Sequence, residues 1–213
     1  MEFDHLVVAT PDLDQAKERF LEATGVRPSD GGSHPGRGTR NALVSFGERQ
    51  YLEILAPDPE QSIPKALSHS FPAEGQQEIF HWALRSGDLP ALAQRATESG
   101  LTPSPIFPAS RAQPSGEVLQ WDLMALVGHE RAGLAPFFID WKNSPHPADA
   151  APVVGPLRAV SLRLPGFEAL ADFLEPAPKG VEIIQGEPEI RVQFDSPRGA
   201  VTWTAKAPVG FAF

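Results

Sequence analysis

The chain has 213 residues and a formal net charge of −9, with 18 Lys and Arg, 27 Asp and Glu, and no cysteine. Its sparse, unclustered positive charge argues against nucleic-acid binding, because affinity for phosphate depends on concentrated cationic side chains. We find neither an apolar run of the roughly 20 residues that a membrane helix needs nor a signal-peptide pattern, and therefore expect a cytoplasmic protein with no membrane partner. Without thiols, any metal must be bound by His, Asp or Glu.

The first predicted unit begins with a strand over residues 3–8. Thr10-Pro11-Asp12 then favours a helix whose N-cap is Thr10, and Gly25 is suited to end that helix. Between these signals, the apolar residues fall on one helical face: Leu13, Ala16, Phe20 and Leu21. Strand-like segments follow over residues 42–46 and 50–55.

The same pattern recurs twice farther along the chain. A strand over residues 79–84 leads into Asp88-Leu89-Pro90 and a helix, and strand-like segments follow over 118–126 and 137–141. A third, fainter copy begins with a strand at 157–164. Each unit is therefore predicted to contain a strand, a helix and two or three further strands.

We predict an α+β fold with two paired βαβββ modules, residues 1–57 and 78–142, and a third, degenerate βαβββ-like unit at 156–206. The sheet of each unit has one apolar face for its own helix and another for a neighbour, so the units should pack on one another. The segments 57–77 and 143–155, rich in Pro, Ala, Ser and Asp, are the expected connectors.

Polar residues inside the predicted strands are the candidates for chemistry. Because side chains alternate across a strand, Phe3, His5 and Val7 are expected to share one face of the first strand. Glu53 lies in the middle of another strand, where a buried carboxylate needs a partner.

The repeat makes two pairs of these residues equivalent. His5 and His81 each lie seven residues before the acidic residue that precedes a helix, and Glu53 aligns with Asp140 near the end of its unit. If the two modules pack with pseudo-twofold symmetry, the four side chains converge in one concave site. Two nitrogen and two oxygen donors suit a divalent ion such as Zn, Ni, Co, Mn or Fe.

Each candidate also has a purely structural explanation. A histidine in a strand is often a hydrogen-bonded core residue, and Glu53 could instead form an ion pair with Arg37 or Arg40. Asp140 could cap the following turn. His146, in a polar and turn-rich stretch, is expected to be solvated.

Other motifs narrow the choice of chemistry. The glycine-rich segment 34–38 lacks the spacing of a phosphate-binding fingerprint and suits a mobile loop over a pocket. No Gly-x-Ser-x-Gly elbow is present, so a covalent nucleophile has little support. The large aromatic residues are expected mainly in the core, with one or two lining an apolar cavity: Trp82, Trp121, Phe137, Phe138 and Trp141.

Three stretches, residues 4–13, 34–43 and 51–57, resemble the vicinal-oxygen-chelate superfamily and, within it, the glyoxalase-like domain proteins. The Gly-Thr-x-Asn-Ala-Leu piece of the second stretch is typical of that subgroup, and the resemblance covers about residues 1–145. It implies the glyoxalase/bleomycin-resistance/dioxygenase-like fold. It also implies that a divalent metal ion is bound by residues from the first and last strands of each module, here His5, Glu53, His81 and Asp140.

The chain departs from the family pattern at two positions and in its third unit. Arg40 stands where the family often has His, and Asp140 is shorter than the usual Glu. In the third unit, Ser161 and Thr202 or Thr204 occupy the ligand positions, so this unit is interpreted as a packing copy without a site.

The resemblance favours a metal-dependent enzyme of the lyase or isomerase type, in which the ion chelates oxygens of a small substrate and stabilises an enolate-like or oxyanionic intermediate. Glu53 and Asp140 are the candidate proton-transfer residues. Arg40 is the candidate ligand of a substrate carboxylate, and Trp82 and Phe138 are the candidate cavity walls.

Two alternatives remain open on the sequence alone. One is a metal-free protein of the same fold that binds or sequesters a small molecule. The other is a scaffold or oligomer built through the unpaired third unit, which could pack on the first two units within the chain or pair across a twofold homodimer.

Overall fold

The computed structural model describes residues 1–62, 71–112, 116–128, 133–164, 168–206, 208 and 210. No helix in these ranges is long and apolar enough to cross a membrane. Residues 63–70 of the predicted connector 57–77 lie outside the described residues.

The first unit comprises β1 (Glu2–Ala9), α1 (Leu13–Thr24), β2 (Ser29–His34), β3 (Thr39–Gly47) and β4 (Gln50–Pro57). The prediction that Thr10 caps α1 is wrong: the N-cap is Asp12, whose carboxylate accepts a hydrogen bond from the N–H of Gln15. Gly25 ends the helix in a left-handed conformation, with φ 84°, and donates its N–H to the carbonyl of Leu21.

The second unit comprises β5 (Glu78–Arg85), α2 (Leu89–Glu98), β6 (Thr102–Pro103), β7 (Phe107–Ala112), β8 (Val118–Val127) and β9 (Phe137–Asp140). Asp88 caps α2 as Asp12 caps α1, by accepting from the N–H of Ala91. A 3₁₀ helix, Pro147–Asp149, lies in the connector that follows.

The first two units share one nine-stranded sheet of order β2-β3-β4-β1-β5-β9-β8-β6, with β7 paired to β8. At its centre β1 and β5 are antiparallel, with His5 opposite Ala83 and Val7 opposite His81. β4 runs parallel to β1, and β9 runs parallel to β5. The two units are thus related by a pseudo-twofold axis between β1 and β5.

The third unit forms a separate four-stranded sheet of order β11-β10-β12-β13. Its elements are β10 (Leu157–Arg163), α3 (Glu168–Phe173), β11 (Val181–Ile184), β12 (Glu189–Ser196) and β13 (Gly199–Ala205). Phe194 of this sheet contacts Phe20 of α1 and Phe46 of β3, with ring centroids 6.4 and 5.2 Å apart. The third unit therefore packs over the helix-bearing face of the large sheet. This arrangement confirms the predicted α+β fold with paired βαβββ modules and a third unit.

A β-bulge near the start of β1 changes the predicted distribution of side chains. Phe3 pairs with Leu84 and His5 pairs with Ala83, so Asp4 is the additional residue on β1. Phe3 is consequently buried in the helix-side core and stacks on Trp82, with ring centroids 6.5 Å apart. The expectation that Phe3 shares a face with His5 is wrong, because strict alternation fails at the bulge.

Candidate active site

The face of the large sheet opposite the helices forms a cleft between the first two units, with about 720 Å³ of empty space when its open mouth is included. Its walls are largely apolar and aromatic: Leu43, Leu55, Trp121, Leu123, Phe137, Ile139 and Trp141. Polar side chains project into it mainly from the first unit: His5, His34, Arg37, Asn41, Tyr51 and Glu53, with Arg111 from the second. We call these seven residues the polar cluster.

Glu53 supplies the carboxylate of the polar cluster. β4 lies between β3 and β1, so Glu53 is flanked by Leu43 and Val7 and is only 8% exposed. Its Oε1 accepts a hydrogen bond of 2.6 Å from the amide nitrogen of Asn41. The expected partner of the buried Glu53 carboxylate is thus the amide of Asn41. Among the described residues, neither Arg37 nor Arg40 forms an ion pair with Glu53.

His5 faces Glu53 across the cleft floor. Its Nε2 lies 3.7 Å from Glu53 Oε2, and its ring stacks on Tyr51 with centroids 4.5 Å apart. Its Nδ1 lies 2.7 Å from Asp4 Oδ1. An ionised carboxylate can only accept, so the proton of this hydrogen bond is on Nδ1, and Nε2 is the nitrogen that faces the cleft.

Asp4 lies behind the cleft wall and is completely buried. Burial alone would raise its pKa, but the hydrogen bonds that it accepts from His146 and His5 lower the pKa well below its ordinary value. Trp141 Nε1 and Arg85 Nη1 also donate to this carboxylate, at 3.1 and 3.0 Å. Asp4 is therefore held ionised in a fixed position against His5.

His146 is the residue of this network that the sequence reasoning placed wrongly. It is 1% exposed rather than solvated, and its Nε2 lies 3.0 Å from Asp4 Oδ2. Its Nδ1 accepts the N–H of Ala148 at the start of the 3₁₀ helix, so the proton is on Nε2 and is donated to Asp4. A histidine that precedes a proline in a connector gives no sequence signal of this role.

His34 closes the polar cluster on the β2–β3 side. Its Nδ1 lies 2.8 Å from Thr39 Oγ1, and its Nε2 lies 3.3 Å from Asn41 Nδ2 and 3.7 Å from Glu53 Oε1. Burial lowers the pKa of His34 to about 4. The ring is therefore neutral at pH 7.

Arg111 reaches the polar cluster from β7 of the second unit and is 3% exposed. Its Nη1 donates to Asn41 Oδ1 at 3.1 Å. Asn41 thus accepts from Arg111 while it donates to Glu53. The sequence reasoning missed Arg111 because it did not predict β7 as a strand.

His81 and Asp140 do not join Glu53 and His5. His81 Nε2 lies 2.8 Å from the carbonyl oxygen of Ala135, and Phe137 contacts the rings of both His5 and His81, with centroids 5.3 and 5.0 Å apart. The carboxylate of Asp140 accepts the N–H of Lys142, as the turn-cap explanation anticipated.

Strand register explains why Asp140 is not the counterpart of Glu53. In the first unit Val7 pairs with Glu53, and in the second the repeat-equivalent Ala83 pairs with Phe137. Phe137 therefore occupies the place of Glu53, and the alignment of Glu53 with Asp140 is shifted by three positions.

The three predicted substrate-binding residues also lie outside the cleft lining. Trp82 and Phe138 are fully buried in the helix-side core, where Trp82 Nε1 donates to the carbonyl of Leu134. Arg40 Nη2 lies 3.3 Å from Asp14 Oδ2 on α1. Because side chains alternate, residues beside two of them face the cleft instead: Asn41 beside Arg40, and Phe137 and Ile139 beside Phe138.

Comparison with known proteins agrees with this architecture. A family model described as a glyoxalase-like domain matches residues 3–177. The chain belongs to this glyoxalase-like domain family. The family match confirms the resemblance seen in the sequence. A search of curated proteins finds no match.

Three solved structures are similar to this glyoxalase-like protein at low sequence identity. A hypothetical protein from Staphylococcus aureus is 15% identical, covers 96% of this chain and 85% of its own, and has a TM-score of 0.62. Methylmalonyl-CoA epimerase from Mycobacterium tuberculosis is 22% identical, with coverages of 70% and 92% and a TM-score of 0.47. A variant of the methylmalonyl-CoA epimerase of Streptomyces coelicolor is 21% identical, covers 69% of this chain and 99% of its own, and has a TM-score of 0.48.

The described residues of this glyoxalase-like protein do not fit the predicted four-ligand metal site. Neither His81 nor Asp140 belongs to the cleft lining that holds His5 and Glu53. Within the described ranges, no group of three or more His, Cys, Asp or Glu side chains is arranged to hold a metal ion. The side chains of the polar cluster are therefore the groups from which a mechanism can be built.

Proposed function

We propose that this glyoxalase-like protein is an enzyme of the isomerase or lyase type that transfers a proton on a small, partly apolar substrate. The observation that carries the proposal is the buried carboxylate of Glu53, which faces the cleft 3.7 Å from an oriented imidazole of His5. A carboxylate and an imidazole at this separation provide an acid–base pair on one side of a substrate.

Glu53 is the proposed base. The hydrogen bond from Asn41 fixes Oε1, which leaves Oε2 directed toward His5 and the cleft. Glu53 would take a proton from a carbon next to a carbonyl group, and the electron pair would remain on the substrate as an enolate. His5, held by Asp4 through Nδ1, would receive or return a proton at Nε2.

Hydrogen–deuterium exchange tests this proposal directly. The protein is incubated in D₂O with carbonyl compounds that carry an adjacent C–H, beginning with 2-oxohexanoate, and loss of the proton signal is followed by NMR. The wild type is expected to accelerate exchange, and Glu53→Gln to lower the rate by about 10²- to 10⁴-fold. Arg40→Gln is the matched control, because Arg40 lies outside the cleft lining and contacts Asp14; its rate should equal that of the wild type.

Two further results bear on the mechanism. Because the proposed steps use side chains alone, dialysis against EDTA should leave the exchange rate unchanged; loss of exchange and its recovery with a divalent metal would favour the metal-dependent mechanism. Exchange that persists in the Glu53→Gln variant would contradict the role of Glu53.

A small-molecule binding protein is the second candidate. It is supported by the apolar walls of the cleft and by the position of His81 and Asp140 outside the cleft lining. In that case Glu53→Gln would affect ligand affinity, and no carbonyl compound would show accelerated exchange.

A further inference from the structure

We infer that the cleft recognises a substrate bearing a single carboxylate group on an apolar body, and that Arg111 and Arg37 bind this carboxylate. The inference rests on the proposed function, since it names the substrate class for the same cleft. It replaces the prediction that Arg40 holds the substrate carboxylate.

Arg111 is a buried cation whose hydrogen-bonding capacity is only partly used. A guanidinium has five N–H donors, and the bond to Asn41 Oδ1 uses one of them. No Asp or Glu oxygen of the described residues forms an ion pair with Arg111, although the residue is 3% exposed. Burial lowers its pKa, and the more distant groups Tyr51 and Glu53 offset that effect only in part, so the guanidinium has no close counter-ion among the described residues. A ligand oxyanion would supply that counter-ion.

Arg37 provides a second cation on the same cleft. Its guanidinium carbon lies 5.4 Å from the centre of the Phe107 ring, and it too forms no ion pair with the described acidic residues. Gly36 and Gly38 flank it with φ values of 73° and 68°, a left-handed conformation that favours glycine. This tight loop brings Arg37 back over the cleft, where it is one of the lining residues.

The space around Arg111 is kept open by the backbone of β2. A Cβ added to Gly31 would lie 2.2 Å from Arg111 Nη1 and 2.2 Å from Asn41 Oδ1. The absence of a side chain at Gly31 therefore allows the guanidinium to reach Asn41. The position of Arg111 is defined by three strands, β2, β3 and β7.

The charge of the cleft favours a monoanion over a phosphate dianion. Arg37 and Arg111 contribute two positive charges and Glu53 one negative charge, which leaves one excess positive charge among the arginine and carboxylate groups of the cleft. Asp4 does not alter this balance, because it is paired behind the wall with Arg85 and His146. The apolar side chains opposite, such as Leu123 and Ile139, suit a hydrocarbon body.

Isothermal titration calorimetry with three matched probes tests the inference: hexanoate, its uncharged analogue hexanamide, and hexyl phosphate. The wild type is expected to bind hexanoate at least tenfold more tightly than hexanamide, because charge-assisted hydrogen bonds to a guanidinium are strong. Hexyl phosphate should bind more weakly than hexanoate. Equal affinity for hexanoate and hexanamide would overturn the inference, and tighter binding of hexyl phosphate would overturn the choice of carboxylate.

Variants locate the binding group. Arg111→Gln and Arg37→Gln should each weaken hexanoate binding, by about tenfold or more for Arg111, and leave hexanamide binding nearly unchanged. Arg40→Gln, the matched arginine outside the cleft lining, should bind hexanoate like the wild type. If Arg111→Gln does not fold, Arg111→Lys and Arg37→Gln decide the question, and wild-type affinity for hexanoate in both would contradict the inference.

These measurements separate the inference from the proposed function. Hexanoate binding requires no proton transfer, so arginine-dependent binding without any catalysed exchange would support the carboxylate site and reject the enzyme. Catalysed exchange at the wild-type rate in the Arg111 and Arg37 variants would support the enzyme and reject the carboxylate site.

Discussion

His5 and His81 occupy equivalent places in two copies of one module, yet their surroundings differ. His5 follows Asp4, bonds to its carboxylate and faces the cleft toward Glu53. His81 follows Phe80, bonds to the carbonyl of Ala135 and contacts Phe137. The duplicated fold thus offers two places for a polar site. In this chain the first unit supplies most of the polar cluster, whereas the second supplies Arg111 and much of the apolar wall.

The largest expected effect is the difference between substituting His5 and substituting His81. His5→Gln should lower the rate of catalysed exchange by about 10²- to 10⁴-fold, because a glutamine amide cannot take up and release a proton as the imidazole Nε2 does. His81→Gln should retain the exchange rate of the wild type, because its nitrogen is directed at Ala135. Both variants are compared by NMR exchange after circular dichroism confirms folding, and equal losses would break the comparison.

Restoring a carboxylate in the second unit is expected to destabilise the protein. Phe137→Glu places an acid at the repeat-equivalent of Glu53 but removes a ring that contacts His5 and His81. The residue paired with Phe137 on β8 is Ala125, which cannot donate a side-chain hydrogen bond to the new carboxylate. The free energy of unfolding in urea should therefore fall by about 3–5 kcal/mol. Phe137→Leu is the control and should lose much less; equal losses would mean that the charge is tolerated.

Acid should destabilise the first-unit site through His34. In the unfolded chain His34 takes up a proton near its ordinary pKa of 6.5, whereas burial delays this uptake to about 4 in the folded state. The unfolded state therefore binds more protons as pH falls from 6.5 to 4, and stability should decline over that window by up to about 3 kcal/mol.

His34→Gln should flatten this decline in urea titrations between pH 7 and 4. Asp4 does not contribute to it, because its lowered folded-state pKa gives stability that is lost only as pH falls below the ordinary carboxyl range. A decline of the same size in the His34→Gln variant would point to another group.

The smallest expected effect is that of Arg40→Gln. Arg40 and Asp14 form a partly exposed ion pair, and such pairs contribute little. The free energy of unfolding, measured by urea titration, should change by less than about 0.5 kcal/mol. A larger loss would indicate that Arg40 does more than contact α1.

Spacing and helix-start signals were sufficient to predict the repeated modules, since His5 and His81 mark the two central strands. Site residues were predicted less well, because face and register depend on details that the spacing does not contain. The bulge at Asp4 places Phe3 on the face of the sheet opposite His5. The alternation of side chains along β3 directs Asn41 rather than Arg40 into the cleft. Alternation along β3 could have identified Asn41; Arg111 could not have been found, because β7 has no clear alternating pattern.

The bond between His146 and Asp4 has a consequence for any attempt to dissect the chain. The repeat suggests that a minimal fragment of two modules could be cut at residue 142, just after the last strand of the second. Such a fragment would lack His146 and leave the fully buried carboxylate of Asp4 without one of its donors. The connector to the third unit is therefore part of the scaffold that orients His5, and shortening the protein there would first damage the unit that holds His5 and Glu53.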